Sequence, residues 1–163
     1  MYFKKFDQIF YDFDVNGTRD IKLVTDITRN VRFRKEILPN ITMYDTYDIR
    51  DGETPEMIAE KVYGNAGYHW IIMLTNERYD YVNDFPKSTH ILEKHITATY
   101  GAGHEYDTHH YVDANGYVVD SSNPTAYPVS NYQYEDELNE SKRRIKLVSP
   151  AIINTILKNF EDL

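Results

Sequence analysis

Three places in this 163-residue chain bring together residue types that do chemistry. Asp12-Phe13-Asp14-Val15-Asn16-Gly17 copies the first half of a calcium loop, in which carboxylates at alternate positions ring a hard cation. That loop needs a bidentate glutamate at its twelfth position, where this chain has Leu23. His104-Glu105 followed by His109 misses the zinc motif H-E-x-x-H by one residue, and Gly101 and Gly103 argue against a helix that would align the pair. Read with His110, these histidines are better explained as hairpin residues facing solvent. Two acidic pairs, Asp45 with Asp48 and Glu53 with Glu56, have the residue types of a glycosidase acid and base, but sequence does not give their separation. No Gly-rich phosphate loop, G-x-S-x-G or dinucleotide fingerprint is present. We expect no enzyme, no catalytic set, no metal and no cofactor.

The totals bound the rest. The length suits one domain or one small domain with extensions, and 41% apolar residues support a core. The longest apolar run, Trp70 to Leu74, is far short of a membrane span, and the start Met1-Tyr2-Phe3-Lys4-Lys5 does not read as a signal peptide. Cysteine is absent, so there is no disulfide framework, and a reducing cytoplasm fits best as the place of synthesis. The net charge of −8 is unevenly spread. Residues 1–40 carry eight basic and six acidic side chains, residues 41–141 five and eighteen, and residues 142–163 five and two. An acidic middle repels phosphate, which excludes nucleic acid as a partner there.

The elements follow from periodicity and caps. Phe3, Phe6, Phe10 and Phe13 make the first fourteen residues too aromatic for an idle tail, so this segment packs on the chain's own core or on a neighbour. Asp14 to Gly17 reads as a turn, and Thr25-Asp26 as the start of a helix running to Leu38 before Pro39. Tyr44 to Arg50 alternates as a strand. Thr54 then caps a helix with Pro55 in its first turn, Ile58, Ala59, Val62 and Tyr63 on one face, and Gly64 as its stop. A second, nearly all-apolar helix runs from Tyr68 to about Asn76. A third, with Leu92 and Ile96 at helical spacing, starts at Ser88 or Thr89. Thr108 to Asp120 reads as a hairpin turning at Asn115-Gly116, and residues 121–141 as an acidic surface loop. Arg144 to Val148 is a strand, and Ser149-Pro150 opens a helix with Ile152, Ile153, Ile156, Leu157 and Phe160 as its stripe. Fifteen tyrosines suit protein interfaces, since tyrosine offers large area with a polar handle.

The order strand, DGET turn, IAEKVYG helix, second helix and closing LTN resembles a LysM module. Such a unit needs a second strand, and none follows Asn76, so residues 143–148 are expected to supply it. Asp45, Asp48 and Asp51 would then lie near Arg143, Arg144 and Lys146. The resulting fold class is α+β: a small LysM-like βααβ core, an inserted helix and β-hairpin, an N-terminal extension and a C-terminal helix. The parts divide as 1–40, 41–78 plus 143–149 for the core, 79–142 for the insertion, and 150–163.

Taken as a whole, the chain resembles the baseplate wedge protein 53 family of contractile-tailed bacteriophages. The resemblance rests on FDQIFYDF at the start, TDITRN, the block VYGNAGYHWIIMLTNERYD, the YVDANGY hairpin and the closing RRIKLVSPAIINTILKNF. It implies a structural component of the phage tail baseplate, present in multiples of six and assembled in the host cytoplasm. Such a protein joins wedge subunits to one another and to the hub or sheath-proximal tail proteins, with no membrane and no nucleic acid as partner. The residues expected at those contacts are Phe3, Phe6, Phe10, Tyr79, Tyr81, Phe85, Tyr111, Tyr117, Ile156 and Phe160. The alternative is a LysM-type carbohydrate-binding module for peptidoglycan or chitin-like N-acetylglucosamine polymers, with Trp70 read as a stacking residue rather than a core one.

Overall fold

Thr54 begins the first helix as its position predicts. Its hydroxyl accepts the Met57 N–H at 3.4 Å, and α1 runs Pro55–Tyr63. Gly64 ends α1 in the left-handed region at φ 69°, donating its N–H to the Glu60 carbonyl. A Cβ there would be strained, which is why the stop is glycine. Asn65 then caps a single 3-10 turn, Ala66–Tyr68, and α2 follows at His69–Thr75. The structure, a computed structural model, describes residues 6–15, 17–28 and 44–161. Over these the chain is α+β, and its backbone contacts group into two compact units. One comprises Met1–Thr46, Thr54–Tyr79 and Lys146–Leu163; the other comprises Tyr47–Glu53 and Asp80–Ile145.

In the first unit, β1 (Gln8–Val15) and β2 (Thr18–Thr25) form an antiparallel hairpin in unbroken register, with Phe10 opposite Leu23 and Asp12 opposite Ile21. Gly17, at φ 76°, donates its N–H to Asp14 Oδ1 at 2.9 Å, so the expected turn is there, but strands flank it. No helix starts at Thr25-Asp26. Thr25 closes β2, and the Asp26 carboxylate accepts both the N–H and the hydroxyl of Thr28 in a local turn. The rest of that expected helix lies outside the described residues.

Strand β3 (Tyr44–Asp48) pairs with β7 (Arg144–Val148), the partner the charge and strand pattern point to. Beside them, Trp70, Ile71, Val148 and Ile153 form a buried cluster, against which Phe6, Tyr44, Tyr63, Leu74, Ile156 and Leu157 pack. Ile153 and Ile156 belong to α5 (Pro150–Glu161). Each such large side chain contributes about 1.5–3 kcal/mol when fully buried. The clasp on this arrangement is Asn76. Its Nδ2 donates to the Ile72 and Lys146 carbonyls, both at 2.8 Å, and its Oδ1 accepts the Lys146 N–H at 2.8 Å. The carboxamide thus bonds β7 as a short piece of strand would.

In the second unit, α3 (Thr89–Tyr100) follows Ser88 and ends at Gly101. Strands β4 (Thr108–Val112), β5 (Val118–Val119) and β6 (Tyr127–Ser130) form a sheet in the order β5-β4-β6. Ile49, Phe85, Leu92, Ile96, Val129 and Ile145 are its buried apolar residues. Two expectations are corrected here. The hairpin turns through a five-residue loop between Val112 and its partner Val118, not through Asn115-Gly116 alone. Asp113 closes that loop, its Oδ1 accepting the N–H groups of Asn115 and Tyr117. Residues 121–141 are not one acidic loop, for they hold β6 and the helix α4 (Asn131–Ser141), which Ser130 caps through the Gln133 N–H.

Helix α4 hides from a hydrophobicity pattern because asparagines dock it. Its two buried residues are Asn131 and Asn139. Asn131 Nδ2 donates to the His104 carbonyl at 2.8 Å. Asn139 accepts the Lys87 N–H at 2.7 Å and donates to the Lys87 carbonyl at 3.0 Å. Of the cross-strand charge pairs expected between residues 45–51 and 143–146, Arg143 with Asp51 at 3.7 Å is the one that closes among the described residues.

Replacing Asn139 by alanine leaves the half-buried Lys87 amide and carbonyl without the carboxamide that bonds them. The variant is expected to lose about 2–4 kcal/mol in urea denaturation, and Asn76→Ala about 1–3 kcal/mol. A loss under 0.5 kcal/mol at both sites would show that these carboxamides fasten nothing.

Candidate protein-binding surface

Several of the residues with chemical potential are engaged locally. Asp12 pairs with Arg19 at 3.2 Å, and Asp14 holds the Gly17 N–H, so the calcium-like segment is a strand end and a turn. Glu53 accepts the Tyr47 hydroxyl at 2.7 and 2.9 Å and the Arg50 N–H at 2.9 Å. Asp51 takes the Thr89 N–H at 2.9 Å. These carboxylates fasten the turn before α1. His104 bonds Asp107 at 2.6 Å. A register shift between Thr108 and His110 makes His109 the extra residue of a β-bulge. The His109 and His110 Nδ1 atoms lie 2.9 Å apart, one donating and the other accepting, while the His109 ring stacks on Tyr134 with centroids 4.0 Å apart. Among the described residues, no three histidines or carboxylates gather to hold a metal.

Electrostatics follow burial and bonding. Burial pushes the Tyr63 hydroxyl up to about 12, with the backbone of Val148 pulling it down and Asp45 adding to the rise. The Asn83 amide and the N–H groups of Val82 and Asn83 hold Asp80 below the usual carboxylate range, as befits a residue organising the 80–84 turn. His104 is raised by its hydrogen bond to Asp107 and by that carboxylate's charge.

The expected contact residues divide by burial. Phe10 is 79% exposed on β1, Tyr117 70% exposed beside β5, and Tyr79 and Tyr81 are exposed in the loop after α2. Tyr111 is half-buried in β4. Phe85 is corrected: at 5% exposure it is a core residue of the second unit, with no ring surface left for a partner. Phe6 and Ile156 pack partly against the Trp70 cluster, so they serve the chain's own core first. Phe3, and the side chain of Phe160, lie outside what the structure describes. Trp70, 7% exposed, is a core residue and presents no face for a sugar to stack on.

Sequence reading missed an exposed apolar surface on the hairpin. Ile21 and Leu23 on β2 are 62% and 53% exposed, on the same face of the hairpin as Phe10. The alternation in Thr18-Arg19-Asp20-Ile21-Lys22-Leu23 was the available signal. Tyr106 and Tyr132, stacked at 5.9 Å, form a second aromatic patch in the other unit.

Comparison with known proteins bears on this surface. The family described as base plate wedge protein 53 matches residues 1–127. Baseplate wedge protein gp53 of Enterobacteria phage T4 is 26% identical over 184 aligned positions, which cover 98% of this chain and 93% of that protein.

The His104–Asp107 pair yields a titration test. A raised value means the protonated form is favoured, so the pair's contribution is complete below 6.5 and is lost as pH rises through the folded value. The His104 ring resonances are expected to titrate with a midpoint above 6.5, falling back in Asp107→Asn and in high salt. A midpoint unmoved by Asp107→Asn would rule the pair out.

Proposed function

The chain belongs to the base plate wedge protein 53 family, and from that premise we propose that it is a structural component of the phage tail baseplate wedge, joining wedge subunits to one another and to the central hub through protein–protein contacts. Its place is the virion tail. The single observation that carries the contact reading is the β1–β2 hairpin, which lies inside the family match and leaves Phe10, Ile21 and Leu23 exposed. An exposed apolar patch rimmed by polar residues marks a surface that another protein covers.

We read β3, α1, α2 and β7 as a LysM-like core whose work is protein binding. Three features carry the contacts: the hairpin, the Tyr117 region and α5. The burial of Trp70 removes the stacking residue that the carbohydrate alternative needs. The acidic composition of residues 41–141 leaves nucleic acid out.

The test is the composition of purified tails. The chain is expected in them alongside other subunits, in copies numbering a multiple of six, and absent from insoluble peptidoglycan after sedimentation. Phe10→Asp is expected to keep the wild-type unfolding free energy within about 0.5 kcal/mol in urea, since the site is exposed, yet to lower occupancy in tails. Sedimentation with peptidoglycan and absence from tails would replace this reading with the carbohydrate-binding one.

A further inference from the structure

Exposed sheet edges in natural proteins are blunted by proline, bulges, short strands or charge, because a free edge pairs with whatever strand it meets. Most edges in this chain follow that rule. In the three-stranded sheet the two edge strands are β6, which carries Pro128 and pairs with β4 across the bulge at His109, and β5, which is two residues long. The Asn76 carboxamide occupies the backbone of β7 at Lys146.

The β1–β2 hairpin departs from it. Both strands are eight residues long, pair without a shift, and contain no proline. Among the described residues no third strand joins them. A two-stranded ribbon of this kind is at best marginal in water.

The ladder fixes which backbone groups are free. Asp26 N–H bonds the Asp7 carbonyl at 2.8 Å, so position 26 opposite 7 is a hydrogen-bonded pair. Antiparallel ladders alternate, which turns the N–H and C=O groups of Ile21, Leu23 and Thr25 outward on β2, and those of Phe10 and Asp12 outward on β1. On β1, the outward positions include Asp12 and Asp14, whose carboxylates blunt that edge. On β2 they are Arg19, Ile21, Leu23 and Thr25; Arg19 stands next to the turn and is paired with Asp12, and the three that follow are uncharged.

Charge and area then specify the occupant. The charges of β2 itself are already matched: Arg19 with Asp12 at 3.2 Å, and Lys22 with Asp20 at 2.8 Å and over the Phe13 ring. A charged strand laid beside β2 would find Arg19, Asp20 and Lys22 already taken and would have to break these pairs. One face of the ribbon spans about 26 Å by about 10 Å, well under the roughly 800 Å² per partner of a standard interface. Face contact alone is therefore too small, whereas a strand that also adds to the ladder supplies backbone hydrogen bonds as well as area.

We propose that the outer edge of β2 accepts an extended, uncharged strand from a different tail subunit, which completes a three-stranded sheet and covers Ile21 and Leu23. This rests on the baseplate reading for the identity of the surroundings and adds the mode of contact.

The test uses the full chain in assembled tails. Ile21→Pro removes an outward N–H and leaves the hairpin's own bonds intact; Asp12→Pro does the same on the opposite edge. Ile21→Pro is expected to fold as the wild type by circular dichroism but to fall at least tenfold in tail occupancy, while Asp12→Pro stays within twofold of wild type. A photo-crosslinking residue at position 23 is expected to capture another tail protein, at a site within an extended segment. Wild-type occupancy of Ile21→Pro overturns the proposal, as does a crosslink into the chain itself, into a second copy of it, or onto a helix. Should Ile21→Pro fail to fold, the crosslink alone decides. Absence of the wild-type chain from purified tails is a different result, which sinks the baseplate reading and this contact with it.

Discussion

The carboxamide of Asn76 bonds to the backbone of a residue seventy positions later, and the first unit depends on that closure. Its core cannot be assembled from a continuous stretch of chain: Trp70 and Ile71 come from α2, Val148 and Ile153 from β7 and α5. Apolar burial drives these together, but burial is indifferent to register. A carboxamide with one donor side and one acceptor side is not. Bonding both Lys146 N–H and Lys146 C=O, it fixes which residue of β7 stands beside the end of α2. In the second unit, Asn139 makes the same two-sided bond to Lys87. The chain thus repeats one solution, a side-chain amide standing in for a neighbouring strand.

That solution also marks the boundary of what could be read in the sequence. Helices α1, α2, α3 and α5 and strands β3, β4 and β7 announce themselves through caps, glycine stops and apolar spacing. The pairing of β3 with β7 was legible from the lack of a suitable strand after Asn76 and from the opposite charges, although only Arg143 with Asp51 closes among the described residues. Helix α4 was not legible, because the residues that bury it are Asn131 and Asn139, and a polar residue scores as surface whatever its hydrogen bonds. The β1–β2 hairpin escaped for the reverse reason. Both of its faces mix apolar and charged residues, so the in–out alternation that reveals a half-buried strand is blurred.

The candidate surface was legible in part. Phe10 and Tyr117 are exposed as their reading requires, but Phe85 sits in the second unit's core. An aromatic residue in a loop signals burial and contact equally, and sequence alone does not say with which side. Ile21 and Leu23 went unmarked because the short alternation around them names a strand but not its neighbour, and only the register places them beside Phe10.

The discontinuity of the first unit has a consequence for how the protein is made. Nascent chains emerge at about 5–20 residues per second, so roughly 4–14 s separate the synthesis of Asn76 from that of Lys146. All the residues of the second unit precede Lys146, so that unit is available to fold while the first remains open. Throughout that interval α2 presents Trp70 and Ile71 to solvent without β7 or α5 to cover them. Long-range pairing of this kind slows folding because loop closure must come before contact. Exposed apolar surface in a waiting intermediate is what chaperones bind, so the ribosome-bound chain, rather than the finished subunit, is the stage at which this protein has most need of them.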